Sequence, residues 1–212
     1  MYYLKSFSFL TVLIFSLSVL SSCGQEQSKT DLQTEVLNNT TAMLANNNTA
    51  TTTAEKSEAK VFQIETVGKA EKGKSIDFSW NDNGTKVSFA EYTKNKVVLL
   101  NFWGTWCPPC RKEIPDLIAL NKELKGKDFV IVGIALERNP NGAVNVVKEY
   151  AQKNQIEYIN ICDLQRKLDQ AYGGIEAVPT TFIIDKKGNI SETIVGGRDK
   201  ATFLQSVNRV LK

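Results

Sequence analysis

Two cysteines, Cys107 and Cys110, stand two prolines apart at the end of an apolar run, Val97 to Phe102. Beyond them, apolar residues recur at Ile114, Leu117, Ile118 and Leu124, a helical spacing that shares its face with Cys110. The pattern predicts a strand that delivers Cys107 to the first turn of a helix. Pro108 and Pro109 suit that turn, because the N–H groups they lack would have had no partners there. A helix N-terminus carries about half a positive charge and unpaired N–H groups, which stabilise a thiolate. Arg111 and Lys112 add two cations nearby. A thiolate attacks disulfides, and Cys110 is spaced to attack Cys107 in turn and so resolve a mixed disulfide. Residue types and spacing read as a redox-active dithiol.

Other uses of a Cys-x-x-Cys pair fit less well. Structural zinc needs four ligands, commonly cysteine or neutral histidine. This chain has no histidine, and its other cysteines, Cys23 and Cys162, stand alone, so no metal site is expected. A purely structural disulfide would close so short a loop that it would constrain little chain entropy. The missing histidine also removes Ser–His and Cys–His catalysis and haem ligation by imidazole. A net charge of +3 without a Lys/Arg cluster gives no support for nucleic-acid binding. With 212 residues, 42% of them hydrophobic, the chain accommodates one packed domain with extensions.

Residues 1–22 read as a secretory signal, with Lys5 in a small positive start and Phe7 to Leu20 apolar. The segment ends Leu20-Ser21-Ser22-Cys23, which resembles a bacterial lipobox, the signal in which the cysteine is lipidated and becomes the mature N-terminus. Several acyl chains on Cys23 would anchor stably where one would not. Residues 23–60 are rich in Thr, Asn, Ala, Gln and Glu and poor in large apolar side chains. They are expected to form a disordered tether, spanning roughly 30–36 Å as a flexible coil.

The folded domain is expected over 61–212. Val61 to Val67 alternates well enough for an edge strand. Ser75–Trp80 and Lys86–Phe89 flank a turn sequence and read as an N-terminal β-hairpin. Lys96–Trp103 is too continuously apolar for a half-exposed sheet and is expected to be a central strand. A helix from about Pro108 to Lys125 follows, with Pro115 as a kink. Phe129–Leu136 is a second buried strand in a parallel βαβ unit. A helix around Ala143–Ala151, a short strand at Tyr158–Ile161 and a short helix capped by Asp163 come next. A closing hairpin, Thr181–Asp185 and Ile190–Val195, leads to a last helix capped by Asp199.

The segment Asn101-Phe102-Trp103-Gly104-Thr105-Trp106-Cys107-Pro108-Pro109-Cys110-Arg111-Lys112-Glu113-Ile114-Pro115 resembles the active-site segment of the TlpA/ResA-like thioredoxin family. About seventy residues on, Val178-Pro179-Thr180-Thr181-Phe182-Ile183-Ile184-Asp185 resembles the family's second mark. The likeness covers roughly residues 70 to 212. It implies a thioredoxin-like α/β fold, a mixed sheet flanked by helices, and an extracytoplasmic thiol–disulfide oxidoreductase without a cofactor. Cys107 would be the attacking sulfur, first on the helix and so the more exposed, and Cys110 the resolving one. Burial raises a thiol's pKa, so Cys110 needs a base. Ordinary thioredoxins place an Asp six positions before the first cysteine, where this chain has Asn101, which does not titrate. Glu113, one helical turn after Cys110 and matching the family's acidic position, is the candidate replacement.

Trp106 is the motif aromatic, expected to shield the disulfide and offer an apolar platform. By the resemblance Pro179 is cis and the main chain at Val178 pairs with an extended substrate segment. Cys162 reads as a small buried hydrophobe. The implied partners are disulfide-bearing or dithiol proteins, an electron-donating membrane thiol oxidoreductase, and a bacterial membrane through the lipid. The protein is expected to be a periplasmic or otherwise extracytoplasmic monomer. Cytochrome c maturation is one use such proteins serve, although no residue here names that client. Two alternatives stay open: a non-enzymatic metal- or partner-binding dithiol, and a peroxiredoxin, which would need Ser or Thr three residues before its cysteine and a nearby arginine.

Overall fold

A computed structural model describes residues 58–212. The signal segment 1–22, Cys23 and most of the tether 23–60 lie outside the described residues. In chain order the elements are β1 (Val61–Val67), β2 (Phe78–Asp82), β3 (Thr85–Ser88), α1 (Phe89–Tyr92), β4 (Val97–Trp103), α2 (Pro108–Glu123) and β5 (Phe129–Ala135). They continue with α3 (Ala143–Lys153), β6 (Ile159–Cys162), α4 (Lys167–Ala171), β7 (Thr180–Ile184), β8 (Ile190–Val195) and α5 (Lys200–Val210).

The strands form one sheet in the order β3-β2-β1-β6-β5-β4-β7-β8. β1, β6, β5 and β4 run parallel. β7 pairs antiparallel with β4, and β8 with β7, while β2 and β3 extend the other side as an antiparallel hairpin. This is the mixed α/β architecture expected. One detail differs: β1 is not an edge strand, because β2 pairs with one side of it and β6 with the other. Alternating polarity reports how well a strand's faces are covered, not whether its edges are paired. Smaller shifts follow local caps. Strand β3 ends at Ser88, whose hydroxyl accepts from Glu91 N–H at 3.1 Å and so turns Phe89 into α1. Helix α4 starts after Arg166, which sits in the left-handed region. Asp163 still accepts the Lys167 and Asp169 N–H groups at 3.0 and 2.9 Å.

β4 explains the layering. All seven of its residues are buried. Val97, Leu99 and Trp103 join a core with Leu117 and Leu120 of α2, Val147 of α3 and Phe203 of α5. Val98, Leu100 and Phe102 point the other way, into a core with Phe78, Trp80, Phe89 and Leu168. Each such side chain stabilises the fold by about 1.5–3 kcal/mol on full burial. Asn101 sits between Leu99 and Trp103 in the alternation, so its polar side chain is aimed toward the layer that holds α2.

Where β4 ends, Trp103 Nε1 donates to Asn160 Oδ1 of β6 at 3.0 Å across β5. Gly133 of β5 makes room for that bond. A Cβ there would overlap Asn160 Oδ1 and stand 2.9 Å from Trp103 Nε1. Gly133→Ala is therefore expected to lower stability by about 1–3 kcal/mol, the usual cost of overpacking. The loss should be read as a lower urea midpoint at unchanged slope. An unchanged midpoint would show that the Trp103–Asn160 pair relaxes freely.

Candidate active site

Cys107 is the N-cap of α2, with Pro108 and Pro109 in the first two helical positions. Cys110 N–H donates to Cys107 Sγ at 3.2 Å, so the sulfur occupies one of the donors that the helix start leaves over. Cys107 and Cys110 form a disulfide with Cα atoms 5.3 Å apart. The expected contrast in exposure is slight, since Cys107 is 2% exposed and Cys110 fully buried. Their surroundings differ more. Cys107 Sγ lies 3.4 Å from the Val178 carbonyl oxygen, next to the cis Val178–Pro179 bond. Pro179 itself is buried and Val178 half-buried. Strand β7 brings this pair to the disulfide because it runs antiparallel beside β4.

The turn before Cys107 is held from the end of β5. Thr105 N–H and Oγ1 donate to the two carboxylate oxygens of Glu137 at 2.8 and 2.9 Å. Trp106 Nε1 donates to the Leu136 carbonyl at 2.9 Å, and the Arg138 guanidinium lies 4.2 Å from the Trp106 ring centroid. Trp106 stays 36% exposed, so part of its ring remains a surface beside the disulfide. Gly104 permits the turn, since a Cβ there would stand 2.5 Å from Trp106 Nε1.

Glu113 is buried, not a solvated residue of the helix surface. Its Oε1 accepts from Asn101 Nδ2 at 2.9 Å, and the same amide donates to Thr181 Oγ1 at 3.0 Å. Its Oε2 accepts from Arg198 N–H at 3.3 Å. Glu113 also lines a cleft of about 460 Å³ with Pro109, Lys112, Asp116, Gly197 and Arg198. Burial raises its pKa from the ordinary 4.5 to about 7; the Asn101 and Arg198 hydrogen bonds and the Arg198 charge pull it down, and the Asp116 charge pushes it up. A carboxyl that titrates near neutral pH is suited to exchanging protons there.

The disulfide, Trp106 and Val178 are thus assembled at one place, and Glu113 stands one helical turn beyond Cys110. Cys23 lies outside the described residues. Cys162 is a buried free cysteine at the end of β6, its thiol pushed up to about 12 by burial first and by the Glu137 charge. Four residues of the site were not foreseen as such: Asn101 as a donor to Glu113, Thr181, Glu137 and Arg198. A polar residue inside an otherwise apolar strand signals a buried partner, and that signal was available at Asn101.

The folded state holds the Glu113 proton more tightly than the unfolded chain does. Glu113 therefore contributes stability below its unfolded value of 4.5 that is lost as pH rises through about 7. Glu113→Gln keeps the shape but not the titration. It should raise stability above neutrality by on the order of 3 kcal/mol and leave acidic stability near wild type. Denaturant midpoints across this pH range check it, and two parallel profiles would contradict the raised proton affinity.

The AhpC/TSA family profile matches residues 70–193. A thiol-disulfide oxidoreductase ResA from Bacillus thuringiensis (strain Al Hakam) is 35% identical over 117 residues, covering 55% of this chain. The chain spans 64% of that relative's length. The ResA of Bacillus subtilis (strain 168) is 32% identical over 128 residues, 60% of this chain and 68% of the relative. Among solved structures, a thiol:disulfide interchange protein of the thioredoxin family from Chlorobium tepidum TLS superposes with a TM-score of 0.57 at 35% identity, covering 70% of this chain and 99% of that one. The chain belongs to the AhpC/TSA family, among the ResA-like thioredoxins.

Proposed function

We propose that this protein is a thiol–disulfide oxidoreductase that reduces disulfides in extracytoplasmic partner proteins. The observation that carries the reading is the Cys107–Cys110 disulfide at the start of α2, with Cys107 Sγ against the Val178 main chain. The names of the relatives, thiol-disulfide oxidoreductase and thiol:disulfide interchange protein, support it. In the reduced protein the Cys107 thiolate attacks one sulfur of a partner disulfide, and the other partner sulfur leaves as a thiolate. Cys110 passes its proton to Glu113 and attacks Cys107. The Cys107–Cys110 disulfide forms, the second partner sulfur leaves, and two electrons have moved to the partner. Val178, ahead of Pro179, offers main-chain groups to an extended substrate, and the exposed part of Trp106 offers an apolar surface.

A membrane thiol oxidoreductase is the proposed electron source for reducing the pair again. Lipidation at Cys23 and the tether 23–60 would hold the domain at a bacterial membrane, and an apocytochrome c disulfide is one client within this chemistry. The peroxiredoxin alternative is disfavoured, because Gly104 stands three residues before Cys107 and the neighbouring Thr105 hydroxyl is bonded to Glu137.

Insulin reduction and mixed-disulfide trapping test the roles. Cys107→Ser should abolish reduction, whereas Cys110→Ser should accumulate Cys107-linked partners. Retained reduction by Cys107→Ser would refute the site. Glu113→Gln should slow resolution by about 100-fold, the lower range for a positioned base. An equilibrium potential of about −270 mV agrees with the reductive direction, and a value of about −120 mV would reverse it.

A further inference from the structure

Glu113 is held asymmetrically. Its Oε1 is the interior oxygen, bonded at 2.9 Å to the amide of Asn101, which is 1% exposed. Its Oε2 has the longer 3.3 Å bond from Arg198 N–H. That oxygen also lies on the Gly197 side: a Cβ built on Gly197 would stand 3.6 Å from Glu113 Oε2 and 3.4 Å from the Pro109 carbonyl oxygen. Gly197 and Glu113 line the same cleft, together with Lys112, Asp116, Arg198, Asp199 and Thr202.

We propose that Glu113 takes up and releases its proton at Oε2 through this cleft, and that Gly197 is a positioning residue whose missing side chain keeps the way to Oε2 open. This deepens the role given to Glu113 above and rests on that reading for its use in the reaction.

Three features support the assignment. Oε1 carries the shorter of the two donor bonds, from the Asn101 amide at 2.9 Å, and Oε2 the longer, from Arg198 N–H at 3.3 Å, so a proton competes less with a donor on Oε2. Gly197 has no positive φ, so backbone conformation does not demand glycine there. Nor does packing demand it, since the nearest atoms to an added Cβ lie at 3.4 Å or more, ordinary contact distances. What a methyl group would change is the hydration of Oε2. The charged and titratable groups around the carboxyl come from each neighbouring element. They are Lys112 and Asp116 of α2, Arg198 and Asp199 ahead of α5, and the buried Tyr158 ahead of β6. Asn101 of β4 faces it without charge, its amide shared with Thr181 Oγ1 of β7.

The test uses two variants of nearly equal size and opposite polarity. Gly197→Ala lays a methyl group toward Oε2 and disfavours the ionised form. The midpoint of Glu113, followed in the oxidised protein by the carboxyl carbon resonance of labelled glutamate, should rise by about one pH unit, tenfold in proton affinity. Gly197→Ser brings a hydroxyl that donates to the carboxylate and should move the midpoint back toward wild type or below it. Both variants should keep the wild-type denaturation midpoint at acidic pH. Midpoints that stay fixed, or that move equally in the two variants, would overturn the inference. The pH profile of mixed-disulfide resolution separates the two readings. If the midpoint rises in Gly197→Ala and returns to wild type or falls below it in Gly197→Ser while the resolution profile does not follow, the proton route stands and Glu113 is not the base for Cys110.

Discussion

At the start of α2 the main chain has more N–H donors than the helix can use, and Cys107 Sγ takes the one on Cys110 at 3.2 Å. The rest of the domain can be read as what it takes to place that donor and that sulfur together. β4 must arrive with both faces covered, or the junction would sit in water. β7 must lie beside β4 so that Val178 comes to within 3.4 Å of the sulfur. Glu137 and Leu136, at the end of β5, fix the turn between strand and helix from the other side.

The second constraint is the burial of a carboxyl. An isolated charge in a protein interior is costly, so it must be hydrogen-bonded or neutral. Glu113 does some of each. Asn101 and Arg198 supply donors, yet burial still holds the proton on to about pH 7. A donor stronger than an amide would have drawn the pKa back toward ordinary carboxylate values, and an apolar neighbour in place of Asn101 would have kept the group neutral further into the alkaline range. The amide at position 101 is therefore a compromise, and the same residue that removes a titrating Asp from β4 tunes a titrating Glu on α2.

The site's centre was legible because local rules specify it. Two prolines between cysteines, with a helical apolar pattern after them, define a helix N-terminus without tertiary information. The central strand was legible for the same reason, as its run of apolar residues admits no open face. What could not be read were partnerships over long separations. Arg198 N–H reaches Glu113 across 85 residues, and nothing in the identity of residue 198 encodes the position of a main-chain donor. The place of β1 was misjudged because its half-buried pattern reflects thin cover on its faces, while both its edges are paired. Glu113 was the intermediate case: its spacing from Cys110 was plain, but its burial depended on Asn101 and Thr181 converging from two other strands.

The insertion of β1 between β2 and β6 also settles a direction. β1 runs parallel to β4 but is offset along it: Val61 stands level with Asn160, Gly133 and Asn101, so β1 begins beside the last residues of β4 and runs on past its end. The disulfide follows the finish of β4. The chain enters β1 from Glu58 at the start. A pull applied through the residues before Glu58 would therefore enter the sheet at β1, with β6 and β5, about 14 Å of sheet, between it and β4. A load entering there meets the β1–β6 pairing first, two strands away from the one that carries the disulfide.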